Sequence, residues 1–268
     1  MLASLLAICA LAYVGFAWIL WAVQDRMLFV GRAEGRGAAM PEHDGVRIDT
    51  IAVDGVGRIR IAIARPKAAP RSVMVFFGGN GEDLRSGIGW SRFWADEYSL
   101  LAIYAEHPGY GDSEGEPSST SFARSAEAAA KRAEEFATGL PLFTGGNSLG
   151  SYCALHLASR GLAQGVILRS PPSSIAEIGA RRFPFMPVRW LLRHDFDNLA
   201  LAREVRVPVL VVHGDADTIV PLRDAQRLVE ALGDHGELVI AVGCGHNDVP
   251  FWRRGPFGPR IDEFLSKS

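Results

Sequence analysis

The chain begins with one long apolar run. Residues 1–24 contain no charged side chain, and about 20 apolar residues in a helix span the hydrocarbon core of a bilayer. Trp18 and Trp21 lie near the end of the run, where aromatic rings favour the membrane interface. The alternative is a cleaved signal peptide, because Ala10-Leu11-Ala12 has the A-x-A pattern of a cleavage site. The run has no basic beginning and continues past that site, so we predict an uncleaved transmembrane anchor over residues 1–24.

The segment after the anchor is basic and rich in small residues. Arg26, Arg32 and Arg36 follow the apolar run, and the positive-inside rule then places the larger part of the chain in the cytoplasm. Glycine, alanine and charged residues dominate the sequence up to residue 45, a composition typical of a linker. We therefore predict a linker over residues 25–45 and a folded domain over residues 46–268.

The domain begins with segments in which apolar and polar residues alternate, and it continues with segments that are apolar throughout. Residues 46–53 and 58–64 alternate around the turn sequence Asp54-Gly-Val-Gly57, which predicts an antiparallel β-hairpin. Residues 72–77 and 100–105 are continuous apolar runs, typical of strands buried on both faces.

The remainder of the chain alternates such strands with helices. Alanine-rich residues 120–137 and residues 222–232 have helical spacing. Further strands are predicted where short apolar runs recur, at 140–143, 165–168, 207–212 and 237–242. This alternation indicates an α/β fold with a mostly parallel central sheet, an antiparallel pair at its beginning, and helices on both faces.

Residues 171–206 interrupt the alternation after the sixth strand. Apolar residues such as Phe183, Phe185 and Trp190 are interleaved with arginines here. An insertion between two strands at this edge of a sheet is expected to form a cap. Two interpretations remain open: these side chains pack the cap onto the core, or some of them line an acyl or alkyl pocket or touch a membrane surface.

Composition narrows the functional classes. The net charge is −2 and charged residues make up 22% of the chain, so nothing indicates a nucleic-acid partner. The three cysteines cannot all pair, and no C-x-x-C spacing is present. Neither a disulfide framework nor a zinc site is implied, and we expect neither a metal nor a cofactor. The oligomeric state is left open.

The sequence Gly146-Asn-Ser-Leu-Gly150 carries the candidate chemistry. It follows an apolar run and precedes a helical stretch, which is the strand–turn–helix context that the G-x-S-x-G nucleophile elbow requires. The turn would strain the serine and expose its Oγ, and the flanking glycines would let strand and helix approach closely. Ser148 is therefore the candidate nucleophile.

A second match to the same motif surrounds Ser113. It follows the loop sequence His107-Pro-Gly-Tyr110 and is soon followed by Pro117, which cannot continue a helix. Asp112 and Glu114 would also repel a developing oxyanion. We interpret Ser113 as a turn residue.

A serine hydroxyl needs a base, and the base needs an orienting acid. His246 follows the last predicted strand in a glycine-rich loop, and it comes after every candidate acid, as the order Ser, acid, His requires. Two aspartates follow the preceding strand. Asp217 lies deeper in that loop, whereas Asp215 suits a turn that hydrogen-bonds to its own backbone. We predict Asp217 as the acid.

Two backbone N–H groups are expected to form the oxyanion hole. One is that of Leu149, directly after the nucleophile, and the other comes from the glycine-rich loop 78–81, where Asn80 is the candidate. Preorganised donors of this kind stabilise the transition state of acyl transfer by several kcal/mol.

The ordered motifs resemble those of the α/β-hydrolase superfamily. More closely, the chain resembles single-span, membrane-anchored serine hydrolases, a group that includes protein depalmitoylases and bacterial relatives. The resemblance covers nearly the whole chain in matching order, at residues 24–29, 76–81, 108–118, 146–150, 213–221 and 245–248. It implies a triad of Ser148, Asp217 and His246, with Asn80 and Leu149 as oxyanion donors.

The chain departs from this pattern before the oxyanion residue. Gly78-Gly79 stands where the family usually has His-Gly, so a side chain that shapes the loop is missing. The implied function is a membrane-anchored serine hydrolase that cleaves carboxylic esters or thioesters of a small-molecule or acylated substrate. Its alternatives are a peptidase or amidase of the same fold, and a non-catalytic membrane-tethered binding protein.

Overall fold

The computed structural model describes residues 1–33, 37 and 45–267. The chain starts with an apolar helix, α1 (Leu2–Leu28), which contains an 18-residue stretch with a mean hydropathy of 2.2 and is long and apolar enough to cross a bilayer. The helix continues past the predicted end of the anchor at residue 24, so the beginning of the predicted linker is helical. A 3₁₀ turn follows at Val30–Ala33, and most of the remaining linker (34–36 and 38–44) lies outside the described residues.

Eight strands form one sheet in the order β1-β2-β4-β3-β5-β6-β7-β8. The strands are β1 (Val46–Val53), β2 (Gly57–Ala64), β3 (Val73–Phe77), β4 (Leu101–Ala105), β5 (Leu142–Asn147), β6 (Gly165–Arg169), β7 (Val209–Gly214) and β8 (Gly236–Ala241). Strand β2 pairs antiparallel with both β1 and β4, and the pairs from β4 to β8 are parallel. The fold class predicted from the sequence, the α/β-hydrolase fold, is confirmed.

Helices cover both faces of the sheet. The eight helices after α1 are α2 (Leu84–Tyr98), α3 (Ser119–Phe136), α4 (Ser151–Ser159), α5 (Ile175–Arg182), α6 (Val188–Leu191), α7 (Asn198–Ala202), α8 (Leu222–Leu232) and α9 (Gly258–Ser266). One core lies beneath α3, α4 and α8, and a second beneath α2 and α9. Strands β3, β4, β6 and β7 are buried along their whole length, which explains why their sequences are continuously apolar.

The three short helices α5 to α7 lie between β6 and β7, where the cap was predicted. The cap is joined to the domain through Arg181 of α5, whose guanidinium donates to both oxygens of the buried Asp224 on α8, at 3.0 and 2.9 Å. Phe185 and Trp190, by contrast, are 86% and 90% exposed on the cap surface. Phe185 and Trp190 therefore do not pack the cap onto the core.

Candidate active site

Ser148 lies in a strained turn at the carboxyl end of β5. Its φ of 49° falls in the left-handed region, which residues other than glycine rarely adopt. A Cβ added at Gly150 would lie 2.2 Å from the Phe77 carbonyl oxygen, and one at Gly146 would lie 2.5 Å from the Gly150 carbonyl oxygen. Both glycines are required because strand, turn and helix are in direct backbone contact.

Three side chains from three loops are joined by hydrogen bonds at this edge of the sheet. The Ser148 Oγ is 3.0 Å from Nε2 of His246, and Nδ1 of His246 is 2.7 Å from Oδ2 of Asp217. The sequence placed each residue after a different strand, β5, β7 and β8, and parallel strands bring their carboxyl ends to one edge. The structure thus brings the three predicted residues together.

Asp217 is surrounded by donors. Its Oδ1 accepts hydrogen bonds from the N–H groups of Ile219 and Val220, at 2.9 and 2.8 Å. Burial raises the pKa of this carboxyl, but the hydrogen bonds from His213, His246 and Val220 outweigh burial and hold the pKa well below its usual range. An ionised Asp217 requires a proton on Nδ1 of His246, so Nε2 is available to accept the proton of Ser148.

Asp215, the alternative acid, has a different partner. Its Oδ1 accepts a hydrogen bond of 2.6 Å from the N–H of Gly243, in the turn that follows β8. Asp215 therefore ties together the loops that carry Asp217 and His246. The sequence predicted a turn residue bonded to its own loop, and the structure instead gives it a partner in the neighbouring loop.

Ser113, in the competing motif, is 2% exposed. Its hydroxyl donates to Oε2 of Glu106 at 2.6 Å and accepts from the Arg60 N–H at 2.9 Å. These bonds fasten the loop after β4 to strand β2, so the side chain has a structural partner on both sides.

The Asn80 loop and Leu149 line the same cleft as Ser148 and His246. The Asn80 side chain donates to the carbonyl of Leu28, the last residue of α1, at 2.6 Å, and accepts from the Tyr110 hydroxyl at 2.6 Å. The Asn80 carbonyl also accepts from the Gly31 N–H at 3.0 Å. The sequence motif indicates a role only for the Asn80 backbone N–H, and it does not reveal that the Asn80 side chain joins the apolar helix to the candidate oxyanion hole.

The loop after β4 supports the Asn80 loop from below. His107 is buried, and burial lowers its pKa to about 4, so the imidazole is neutral and its Nε2–H donates to the Gly78 carbonyl at 2.8 Å. The ring stacks on Phe122 of α3 at 4.1 Å between centroids. The sequence predicts only a loop here, although the density of polar and aromatic residues is a signal for such a supporting role.

The cleft above Ser148 has a volume of about 630 Å³. The catalytic candidates form its floor, and apolar side chains from the cap and from α1 form its walls. The cap contributes Ile175, Ile178, Phe183, Val188, Leu191 and Leu192, and α1 contributes Leu20, Trp21, Gln24, Met27 and Leu28. The size and lining are typical of a site for a small, largely apolar ligand.

Polar contacts fix α1 against the cap. Gln24 donates to the Leu191 carbonyl at 3.0 Å and accepts from the Arg193 N–H at 2.7 Å. The Arg193 guanidinium donates to the Trp21 carbonyl at 2.9 Å and lies 3.4 Å from Asp25. The cleft wall formed by α1 is therefore part of the folded domain.

Among the described residues, no cluster of three or more His, Cys, Asp or Glu side chains could hold a metal ion. The three cysteines are free, and Cys153 is buried beneath α3.

Part of the sequence matches a protein-family model, and most of it is similar to two curated proteins. The α/β-hydrolase family model described as TAP-like protein matches residues 193–267. The Uncharacterized protein Rv2307c of Mycobacterium tuberculosis is 29% identical over 253 residues, which cover 90% of this chain and 87% of the relative. The human Alpha/beta hydrolase domain-containing protein 17B is 26% identical over 213 residues, covering 78% of this chain and 72% of the relative.

Solved structures share the fold. An esterase of Pyrococcus furiosus, Pf2001, superposes with a TM-score of 0.68 at 14% identity, over 87% of this chain and 96% of the esterase. A bacterial membrane phospholipase A superposes with a TM-score of 0.61 at 17% identity, over 99% of this chain and 96% of the phospholipase. The chain has the α/β-hydrolase fold, and its similarities to α/β-hydrolases support a hydrolase-type enzyme.

Glu106, which follows β4 and accepts a hydrogen bond from Ser113, makes the stability of the fold pH-dependent. Burial raises its pKa to about 7, against bonds from Ser113 and Leu84 that favour the carboxylate. Because the folded pKa exceeds the unfolded value of about 4.5, the folded state binds the proton more tightly. Its contribution to stability is complete below about pH 4.5 and is lost as the pH rises through about 7.

Glu106→Gln mimics the protonated carboxyl and should remove this dependence. We expect the free energy of unfolding of the wild type, relative to the variant, to fall between about pH 5 and pH 8, by a change on the order of 3 kcal/mol. Denaturant unfolding at four pH values measures this difference in the free energy of unfolding. The control is Glu134→Gln, at an exposed position on α3. Parallel pH profiles for wild type and Glu106→Gln would contradict the assignment.

Proposed function

We propose that the protein is a membrane-anchored serine hydrolase that cleaves carboxylic ester or thioester bonds of acyl substrates. The observation that supports this most directly is the continuous hydrogen-bond chain from the Ser148 Oγ through His246 to Asp217. This series of hydrogen bonds has the geometry in which a histidine activates a serine hydroxyl.

In this mechanism, Nε2 of His246 takes the proton of Ser148 as the Oγ attacks the acyl carbonyl carbon. The tetrahedral oxyanion is stabilised by the backbone N–H groups of Leu149 and Asn80. His246 then gives the proton to the departing alcohol or thiol, which leaves an acyl ester on Ser148. A water molecule attacks this ester with His246 as base, and collapse releases the carboxylic acid and restores the Ser148 hydroxyl.

The acyl part of the substrate is assigned from the cleft walls. The apolar side chains of α1 and the cap lie above Ser148, so an alkyl chain can lie along them while its carbonyl reaches the nucleophile. The exposed rings of Phe185 and Trp190 lie on the cap, which α1 contacts through the Tyr13 hydroxyl and the Phe185 carbonyl at 2.9 Å. We infer that α1 is a single membrane span and that the cleft lies close to the bilayer surface, with the domain in the cytoplasm.

The nucleophile is tested with a fluorophosphonate probe and p-nitrophenyl esters. We expect wild-type protein in detergent to be labelled and to hydrolyse the esters, and Ser148→Ala to lose both. Asp217→Asn, which favours the wrong tautomer of His246, should lower kcat by about 10⁴-fold, whereas Asp215→Asn should retain most activity.

The outcomes separate the candidate functions. Equal labelling of wild type and Ser148→Ala would contradict the nucleophile, and absent labelling of a folded wild type would favour a binding protein. Faster turnover of aminoacyl-arylamides than of esters would favour a peptidase.

The apolar wall from α1 should determine which acyl chains are accepted. Leu20 lines the cleft, so Leu20→Trp should fill the space of several methylene groups. We expect the ratio of kcat/KM for p-nitrophenyl palmitate to that for the butyrate to fall by at least about tenfold, since each methylene in a fitted pocket is worth about 1–3 kcal/mol.

The matched control is Leu11→Trp, on the same helix, where the native side chain is 73% exposed. It should keep the wild-type chain-length profile. If Leu20→Trp also keeps that profile, α1 does not contact the acyl chain during turnover.

A further inference from the structure

The glycine at position 78 is explained by what occupies the space beside it. A Cβ built on Gly78 would lie 2.2 Å from the Tyr104 hydroxyl oxygen, 2.8 Å from Oε2 of Glu82 and 2.9 Å from the Glu82 Cβ. Real Cβ atoms do not approach other atoms this closely, so a side chain at residue 78 would require Tyr104 and Glu82 to move. The space beside Gly78 is filled by the Tyr104 and Glu82 side chains.

The half-buried Glu82 carboxylate accepts hydrogen bonds from three segments. Its Oε2 accepts from the Gly79 N–H at 2.5 Å and from the Asn147 side-chain amide at 3.2 Å. Its Oε1 accepts from the Trp90 indole N–H of α2 at 3.1 Å. Gly79 directly precedes Asn80, and Asn147 directly precedes Ser148. One carboxylate therefore links the two segments that supply the candidate oxyanion donors.

Glu82 also interacts electrostatically with Arg169, which binds the loop that carries His246. Glu82 is among the anionic groups that stabilise the buried guanidinium of Arg169. Arg169 donates to the carbonyls of Asn247 and Val249, at 2.5 and 3.1 Å, and lies 5.7 Å from the centre of the Trp90 ring. The loop after β8 is thus held by an arginine whose charge Glu82 offsets.

We propose that Glu82 is a positioning residue that holds the Asn80 loop and the nucleophile elbow in register, in place of a side chain at residue 78. The role rests on the proposed hydrolase function, because the N–H groups it aligns are those assigned to the oxyanion. A free carboxylate near an oxyanion would oppose the reaction. Both oxygens of Glu82 are instead occupied by N–H donors, and Arg169 offsets its charge.

Glu82→Gln tests the role with little change in shape. The amide nitrogen of Gln is a donor, so at least one of the three N–H groups would face another donor instead of an acceptor. We expect kcat for p-nitrophenyl esters to fall about 10- to 100-fold with KM changed by less than about twofold, because misplaced donors weaken only the transition state. The control is Glu230→Gln, at an exposed position on α8, which should leave both constants unchanged.

Amide hydrogen exchange of residues 78–81 and 146–150 supplies a readout that needs no turnover. Exchange in both segments should rise in Glu82→Gln and stay at the wild-type level in Glu230→Gln. Melting temperature is measured alongside. A lowered melting temperature with unchanged kcat would assign Glu82 to stability alone, and a raised KM with unchanged kcat would assign it to substrate contact; either overturns the proposal.

The failure of the two proposals is distinguishable. If Ser148→Ala abolishes activity and Glu82→Gln retains the wild-type kcat, only the role of Glu82 is wrong. If the folded wild type hydrolyses no ester, the proposed function is wrong, and unchanged exchange in Glu82→Gln would then reject the link between the two segments as well.

Discussion

Direct backbone contact at the end of β5 is the constraint on which the site depends. The Gly150 backbone packs against the Phe77 carbonyl with no room for a Cβ, so the elbow, the start of α4 and the end of β3 form one rigid unit. This contact places Gly150, directly after Leu149, against the end of β3 and the Gly78 carbonyl. It also holds Ser148 at a φ of 49°, a conformation that surrounding structure must stabilise because it is unfavourable by itself. The strain at the serine and the contact between the elbow and the loop after β3 have the same origin.

The loop that follows β3 is held from three directions. From below, the neutral His107 and the Tyr110 hydroxyl contact Gly78 and Asn80. From the side, Glu82 joins the loop to the elbow. From above, the Leu28 carbonyl at the end of α1 accepts from the Asn80 side chain, and the Gly31 N–H of the following 3₁₀ turn donates to the Asn80 carbonyl. An oxyanion hole requires backbone N–H groups that are oriented before the reaction begins. Under the proposed function, these contacts would orient the Asn80 N–H without a side chain at residue 78.

The hydrogen bond between Asn80 and Leu28 joins the apolar helix α1 to the candidate active site. The helix has no buried residue, yet its final turns line the cleft and bind the cap through Gln24 and Asp25. A helix that served as a tether alone would need no such contacts. Its outer turns expose apolar side chains that suit a bilayer, and its inner turns are part of a pocket wall. A change in the helix position would therefore reach Asn80 directly.

The sequence by itself determined the elements of the fold and pointed to the candidate catalytic residues. Buried strands are continuously apolar because both of their faces pack, so the sequence predicts the strands and their α/β order. The order Ser148, Asp217, His246 follows from the positions of these residues after β5, β7 and β8. Glycines at 146 and 150 were interpreted correctly because close approach has a local signature. The tertiary structure alone decided which partners these residues have. Asp215 bonds to Gly243, Asn80 binds the end of α1, and Glu82 fills the space beside Gly78. Each of these contacts joins segments distant in sequence or depends on the shape of a space, and no pattern of neighbouring residues encodes either.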